Sequence, residues 1–123
     1  MDGILSEAQI WAMAGTCMLM SIDVVSGFVQ AVVNKCLSST KMREGILHKV
    51  SVVLVIVAVC VLEVLAQHVA GLSIEGLGTV PVCVVAMLME LVSIWENACK
   101  ANPTLKDSPL GKLLEDKTGG DAK

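Results

Sequence analysis

Three long apolar segments alternate with short polar segments along the chain. The apolar segments cover about residues 8–33, 46–69 and 80–98. Each is near the ~20 residues that a helix needs to cross the hydrocarbon core of a bilayer. The pattern therefore predicts an all-α integral membrane domain over residues 1–99, with three transmembrane helices. A polar tail, partly disordered, follows over residues 100–123.

The second apolar segment is rich in valine, which by itself favours a β-strand. About twenty apolar residues without a turn residue are too many for a strand, so length favours a helix. Ser38, Ser39 and Thr40 precede this segment, and such residues commonly cap helix N-termini. We therefore expect the second helix to begin near Thr40, before its membrane span. Residues 70–80 contain three glycines and should connect it to the third helix.

The basic residues are confined to two short stretches. No Lys or Arg precedes Lys35, and none lies between Lys49 and Lys100. Basic loops stay on the cytoplasmic side of a membrane, so the pattern predicts an outside N-terminus and a cytoplasmic tail. The basic residues to which we assign this topology are Lys35, Lys41, Arg43, Lys49 and Lys100.

Composition supports the membrane class. Of the 123 residues 54% are hydrophobic and 17% charged, and the net charge of −3 gives no indication of a nucleic-acid partner. No basic residue precedes the first apolar segment, so we expect that segment to be retained rather than cleaved as a signal peptide. The five cysteines are widely spaced and indicate neither a metal site nor a disulfide.

Three carboxylates, Asp23, Glu63 and Glu90, fall inside the apolar segments. Because we assign the basic residues to the loop and the tail, we expect these carboxylates to have no Lys or Arg partner within a span. Protonation, hydrogen bonding to another subunit, or exposure to a water-filled lumen would then accommodate them. For Glu63, a position close to the membrane interface is an equally good interpretation.

Small and polar residues recur at helical spacing in the first and third segments. Asp23, Gly27 and Ala31 form one line, which the carboxylate marks as facing protein. A second line formed by Ala8, Ala12 and Thr16 we attribute to composition alone. In the third segment Ala86, Glu90, Ser93 and Asn97 share one helical face. The residues that we expect to face a lumen or an oligomer contact are Asp23, Gly27, Glu63, Glu90, Ser93 and Asn97.

No catalytic motif, metal-ligand spacing or phosphate-binding loop is present, so we expect neither an enzyme nor a cofactor. In the tail, Ser108-Pro109 could start a short helix with Leu110, Leu113 and Leu114 on one side. For this part we favour a weakly ordered tail on the membrane surface. Thr118-Gly119-Gly120 indicates disorder.

Several short motifs, taken in order, resemble the bacteriophage holin family of the toxin-secretion or phage-lysis type. They are Asp23-Val24-Val25-Ser26-Gly27, Lys35-Cys36-Leu37-Ser38-Ser39, Gly45 with Lys49, and Glu90-Leu91-Val92-Ser93-Ile94-Trp95-Glu96-Asn97. The resemblance covers roughly residues 20–115. Each motif is weak alone, whereas their order and spacing together are fairly specific.

The resemblance implies a homo-oligomer in the bacterial cytoplasmic membrane that forms pores or lesions. Its functional partners would be the released endolysin, or a toxin, and an antiholin. Two other functions remain compatible with the residues. One is a small ion or proton channel or transporter that uses the intramembrane carboxylates, and the other is a structural membrane subunit of an export complex.

Overall fold

The computed structural model describes residues 3–117, and this part of the chain is predominantly helical. The elements are α1 (Glu7–Val33), α2 (Ser39–Ala66), α3 (Thr79–Ala101), a 3₁₀ helix (Pro103–Asp107) and α4 (Pro109–Lys117). Helices α1, α2 and α3 are each long and apolar enough to cross a membrane. The predicted all-α architecture with three candidate spans is confirmed, while the positions of the membrane boundaries along the helices stay a prediction.

Serine caps define the starts of α1 and α2. The Ser6 hydroxyl accepts a hydrogen bond from the Gln9 amide at 3.2 Å, and the Gln9 side chain accepts one from the Ser6 amide at 2.7 Å. This reciprocal pair satisfies amides that a helix N-terminus otherwise leaves unpaired. Ser38 caps α2 by accepting from the Lys41 amide at 3.3 Å. The predicted start of the second helix is therefore confirmed.

Helix α1 packs chiefly against α3, and the two run parallel, with α2 antiparallel to both. At one end the Asn34 amide donates to the Lys100 carbonyl at 3.0 Å. We call this the basic end; it holds the α1–α2 turn at residues 34–38 and the start of the tail. At the opposite end, the loop end, the Gln9 side chain near the start of α1 donates to Glu63 of α2 at 2.7 Å, and residues 67–78 connect α2 to α3.

Small residues allow α1 and α3 to approach closely. Ala12 and Ala86 are buried in one cluster together with Cys83. Thr16 is 1% exposed, and its hydroxyl donates to the Ala12 carbonyl at 2.8 Å and lies 3.5 Å from the Cys83 carbonyl. Our expectation that the line through Ala12 and Thr16 reflects composition alone is therefore wrong. In a membrane such small residues allow the helix backbones to approach closely enough for extensive van der Waals contact.

Helix α2 is attached mainly through its second half. Its buried residues are Ile56, Val59 and Cys60, whereas no residue from 39 to 55 is buried. In the half of α2 nearer the basic end, Val52 packs against the buried apolar cluster, but it is only partly buried. This leaves the seam between the two helices partly open.

The tail is helical over Pro103–Asp107 and Pro109–Lys117, so the short helix that Ser108-Pro109 could start is present, while weak order and a position on the membrane surface stay predictions. Gly111 is buried in α4, and a Cβ there would overlap carbonyl oxygens of the preceding 3₁₀ helix. Leu110 and Leu113 are exposed on α4. The disorder predicted at residues 118–120 lies outside the described residues.

Candidate functional site

The centre of the bundle holds a three-residue ion-pair cluster, Asp23–Lys49–Glu90, which we call the triad. The Lys49 ammonium lies 2.5 Å from Asp23 Oδ2 and 2.7 Å from Glu90 Oε2. The three side chains are 14%, 9% and 6% exposed, in the order Lys49, Asp23, Glu90. One residue comes from each long helix, so the triad ties all three together.

Helix geometry brings the triad to one level. Asp23 lies ten residues before the end of α1, and Lys49 lies ten residues after the start of the antiparallel α2. Glu90 lies eleven residues before the end of α3. At 1.5 Å per residue, each position is ~15 Å inside the helix end at the basic end. The charges therefore meet at the same depth inside the bundle.

Asn97 extends the triad towards the basic end. Its side-chain amide donates to Asp23 Oδ1 at 3.0 Å and to the Ser26 hydroxyl at 3.1 Å. The Ser26 hydroxyl in turn donates to the Asp23 backbone carbonyl at 2.9 Å. A Cβ at Gly27 would lie 3.5 Å from the Asn97 amide nitrogen, so Gly27 lies against this network. Both Asp23 oxygens are thus engaged.

The triad contradicts our expectation that Asp23 and Glu90 have no basic partner within a span. We assigned Lys49 to the topology-determining loop because it ends a basic run. The sequence does indicate that Lys49 lies within a helix. Its distance from the predicted helix start near Thr40 places it more than two turns inside that helix. Whether Lys49 also influences membrane orientation stays a prediction.

A second polar contact lies at the loop end and is centred on Glu63. Its Oε2 accepts from the Thr79 hydroxyl at 2.6 Å, the Thr79 backbone amide at 3.0 Å and the Gln9 side chain at 2.7 Å. Gly78, the residue before α3, provides no side-chain cap. Glu63 supplies that cap from α2, where its negative charge also favours the helix N-terminus. A Cβ on Gly78 would come within 3.1 Å of Glu63 Oε1.

The remaining predicted residues are distributed as follows. Ser93 is partly buried beside Glu90 but makes no hydrogen bond within the described part of the chain. The exposed basic residues at the basic end are Lys35, Lys41, Arg43 and Lys100. Across residues 3–117, no cluster of His, Cys, Asp and Glu could hold a metal ion. The polar groups of the triad and of the Glu63 contact thus join the helices through ion pairs and hydrogen bonds.

The architecture and its motifs agree with the comparison to known families. A model of the bacteriophage holin family matches residues 4–116, which includes all three long helices and all but the last residue of α4. The chain belongs to the bacteriophage holin family. No curated protein and no solved structure matches the chain significantly. The resemblance predicted from the short motifs is confirmed, and the holin family is not a family of enzymes.

We expect Lys49→Met to destabilise the bundle by about 3–5 kcal/mol, because it leaves two buried carboxylates without their cation. The triple variant Asp23→Asn, Lys49→Met, Glu90→Gln removes all three charges and should recover most of this loss. Equilibrium unfolding in mixed detergent micelles measures both differences. Lys41→Met, at an exposed position, is the control and should change stability little. Equal loss in the single and triple variants would contradict a charge-based role.

We expect Glu63→Ala to loosen the start of α3 by about 1–2 kcal/mol, the usual effect of losing an N-cap. Hydrogen exchange should accelerate at the amides of the first α3 turn and remain unchanged around the triad. Glu75→Ala removes an exposed loop carboxylate and serves as the matched control. Unchanged exchange at the amides of Thr79, Val80 and Val82 would show that Glu63 does not cap α3.

Proposed function

We propose that this chain is a holin that accumulates in the bacterial host's cytoplasmic membrane, oligomerises and opens lesions through which an endolysin leaves the cell. The observation that carries the proposal is the family match across residues 4–116. Three helices capable of crossing a membrane support it. Endolysin is the released functional partner and need not bind the chain, and an antiholin would act on the assembly.

We propose an orientation with the N-terminus outside and the tail inside. The support is that the 34–38 turn and Lys100 lie at the same end of the bundle. This end carries the exposed basic residues, which membranes retain on the cytoplasmic side. The Glu63 cap would then face the outer leaflet.

We propose that the inward-facing polar residues become the contacts or the lumen of the oligomer. These residues are Asp23, Gly27, Glu63, Glu90, Ser93 and Asn97. In the protomer, the partners of Asp23, Glu63, Glu90 and Asn97 are internal, while the outer helix faces carry mostly exposed apolar side chains. An aqueous lesion needs polar walls, so assembly would have to open the triad and redirect its charges towards neighbours or water. On this proposal the triad holds the protomer closed before assembly.

Inducible expression of the full chain in bacteria, with a co-expressed endolysin, tests the function. We expect growth to continue for a delay and then an abrupt loss of membrane potential and lysis, followed with a potential-sensitive dye and optical density. Endolysin without the chain is the control. Depolarisation without endolysin release would instead indicate a small ion channel, and unchanged growth with normal insertion would contradict a holin.

The triad proposal predicts an earlier lysis time for Lys49→Met, because the closed protomer is less stable when two carboxylates lose their cation. The triple variant Asp23→Asn, Lys49→Met, Glu90→Gln should restore the delay towards the wild-type value. Membrane content, measured by immunoblot, must be matched among variants. A later or unchanged lysis time for Lys49→Met at matched content would contradict the proposed closing role.

A further inference from the structure

The seam between α1 and α2 contains two adjoining cavities that together form one groove. The first, about 240 Å³, opens near the basic end, and the second, about 290 Å³, runs deeper along the helices. Val24, Ile46 and Lys49 line both. The groove lies beside the first half of α2, where no residue falls among the buried residues of that helix.

Two glycines widen this groove on the side of the triad that faces the basic end. Gly27 follows Asp23 by four residues and Gly45 precedes Lys49 by four, so on antiparallel helices both lie one turn nearer the basic end. Both line the first cavity. A Cβ on Gly45 would meet nothing within 4 Å, which shows open space at this wall.

The lining changes from polar to apolar with depth. Near the basic end the groove is lined by Gln30, Ser38 and Lys41 as well as apolar residues. Deeper, the side chains that line it beyond the shared positions are Met20, Ser21, Val50, Val53 and Leu54. A polar mouth followed by an open apolar groove matches an amphiphile rather than a uniformly apolar helix.

The length of the groove matches one leaflet of a bilayer. Lys41 and Leu54 are thirteen residues apart on α2, or ~20 Å along the helix. Half of the hydrocarbon core is about 15 Å, which leaves room for a headgroup at the mouth. A single phospholipid therefore fits the groove along its length.

Charge identifies the headgroup. Asp23 is the acidic residue of the lining, and Lys49 and Asn97 already engage its carboxylate. Lys41 makes no ion pair within the described residues and lies at the mouth. Interfacial basic residues attract anionic lipid headgroups. The free positive charge of the mouth therefore favours a negatively charged lipid.

We propose that the groove between α1 and α2 binds one anionic phospholipid from the leaflet at the basic end. Its phosphate lies at Lys41 and Ser38, and one acyl chain passes Gly45 and Val24 towards Leu54. The site requires insertion of the chain into a membrane but does not require lesion formation. Its failure is therefore distinguishable from failure of the proposed holin function.

Native mass spectrometry of the full chain, reconstituted with equal phosphatidylglycerol and phosphatidylcholine, tests the site. We expect one phosphatidylglycerol retained per protomer. Gly45→Leu should fill the groove and lower retention about tenfold, while the leucine favours the helix more than glycine does. Ser51→Leu places the same leucine side chain on α2 at an exposed position outside the groove and should retain the lipid.

Lys41→Gln tests the headgroup, and we expect it to reduce the preference for phosphatidylglycerol over phosphatidylcholine. Equal retention of the two lipids by the wild type would overturn the anionic assignment. Retention unchanged in Gly45→Leu would overturn the groove as the site. A lipid-free dimer that Gly45→Leu dissociates and Ser51→Leu does not would overturn the lipid proposal and identify a second copy as the occupant.

Discussion

The whole bundle depends on one constraint: a charged side chain buried in a membrane needs a partner of opposite charge within contact distance. Lys49 meets this constraint for Asp23 and Glu90 at once, with contacts of 2.5 and 2.7 Å. Removing Lys49 leaves both carboxylates with an uncompensated desolvation cost. The height of the first half of α2 relative to α1 and α3 is therefore set by one ammonium group, and a one-residue slip of α2 would rotate Lys49 away from both partners.

The triad has an excess of one carboxylate when all three groups are ionised. Asn97 offsets part of that excess by donating to Asp23. A buried charge pair of this kind fixes register more reliably than it adds stability, since an apolar replacement of all its members would avoid the desolvation cost.

The sequence predicted the number, approximate limits and helical nature of the three long elements, because twenty apolar residues leave few alternatives. It also indicated that Asp23 faces protein, from its four-residue spacing to Gly27. It did not reveal the partner, because Lys49 belongs both to a basic run and to the early part of α2. The rule that basic residues lie in cytoplasmic loops assigns such a lysine to a loop. Counting helical residues from the Ser38 cap instead places Lys49 at the level of Asp23. The cap that Glu63 gives α3 depends on how α2 ends against the connection at residues 67–78, and no local pattern specifies that geometry.

The same contacts define which helix can move most easily. Helices α1 and α3 share a close interface at Thr16 and Ala86, whereas α2 has no buried residue before Ile56. Near the basic end α2 is held to the other two helices through Lys49, beside a groove that a lipid can enter. Opening the triad would therefore release the first half of α2 while leaving the α1–α3 pair and the Glu63 cap intact. On the proposed function, α2 is therefore the helix whose displacement loses the least packing. Its displacement can turn an inward polar face towards a neighbouring protomer.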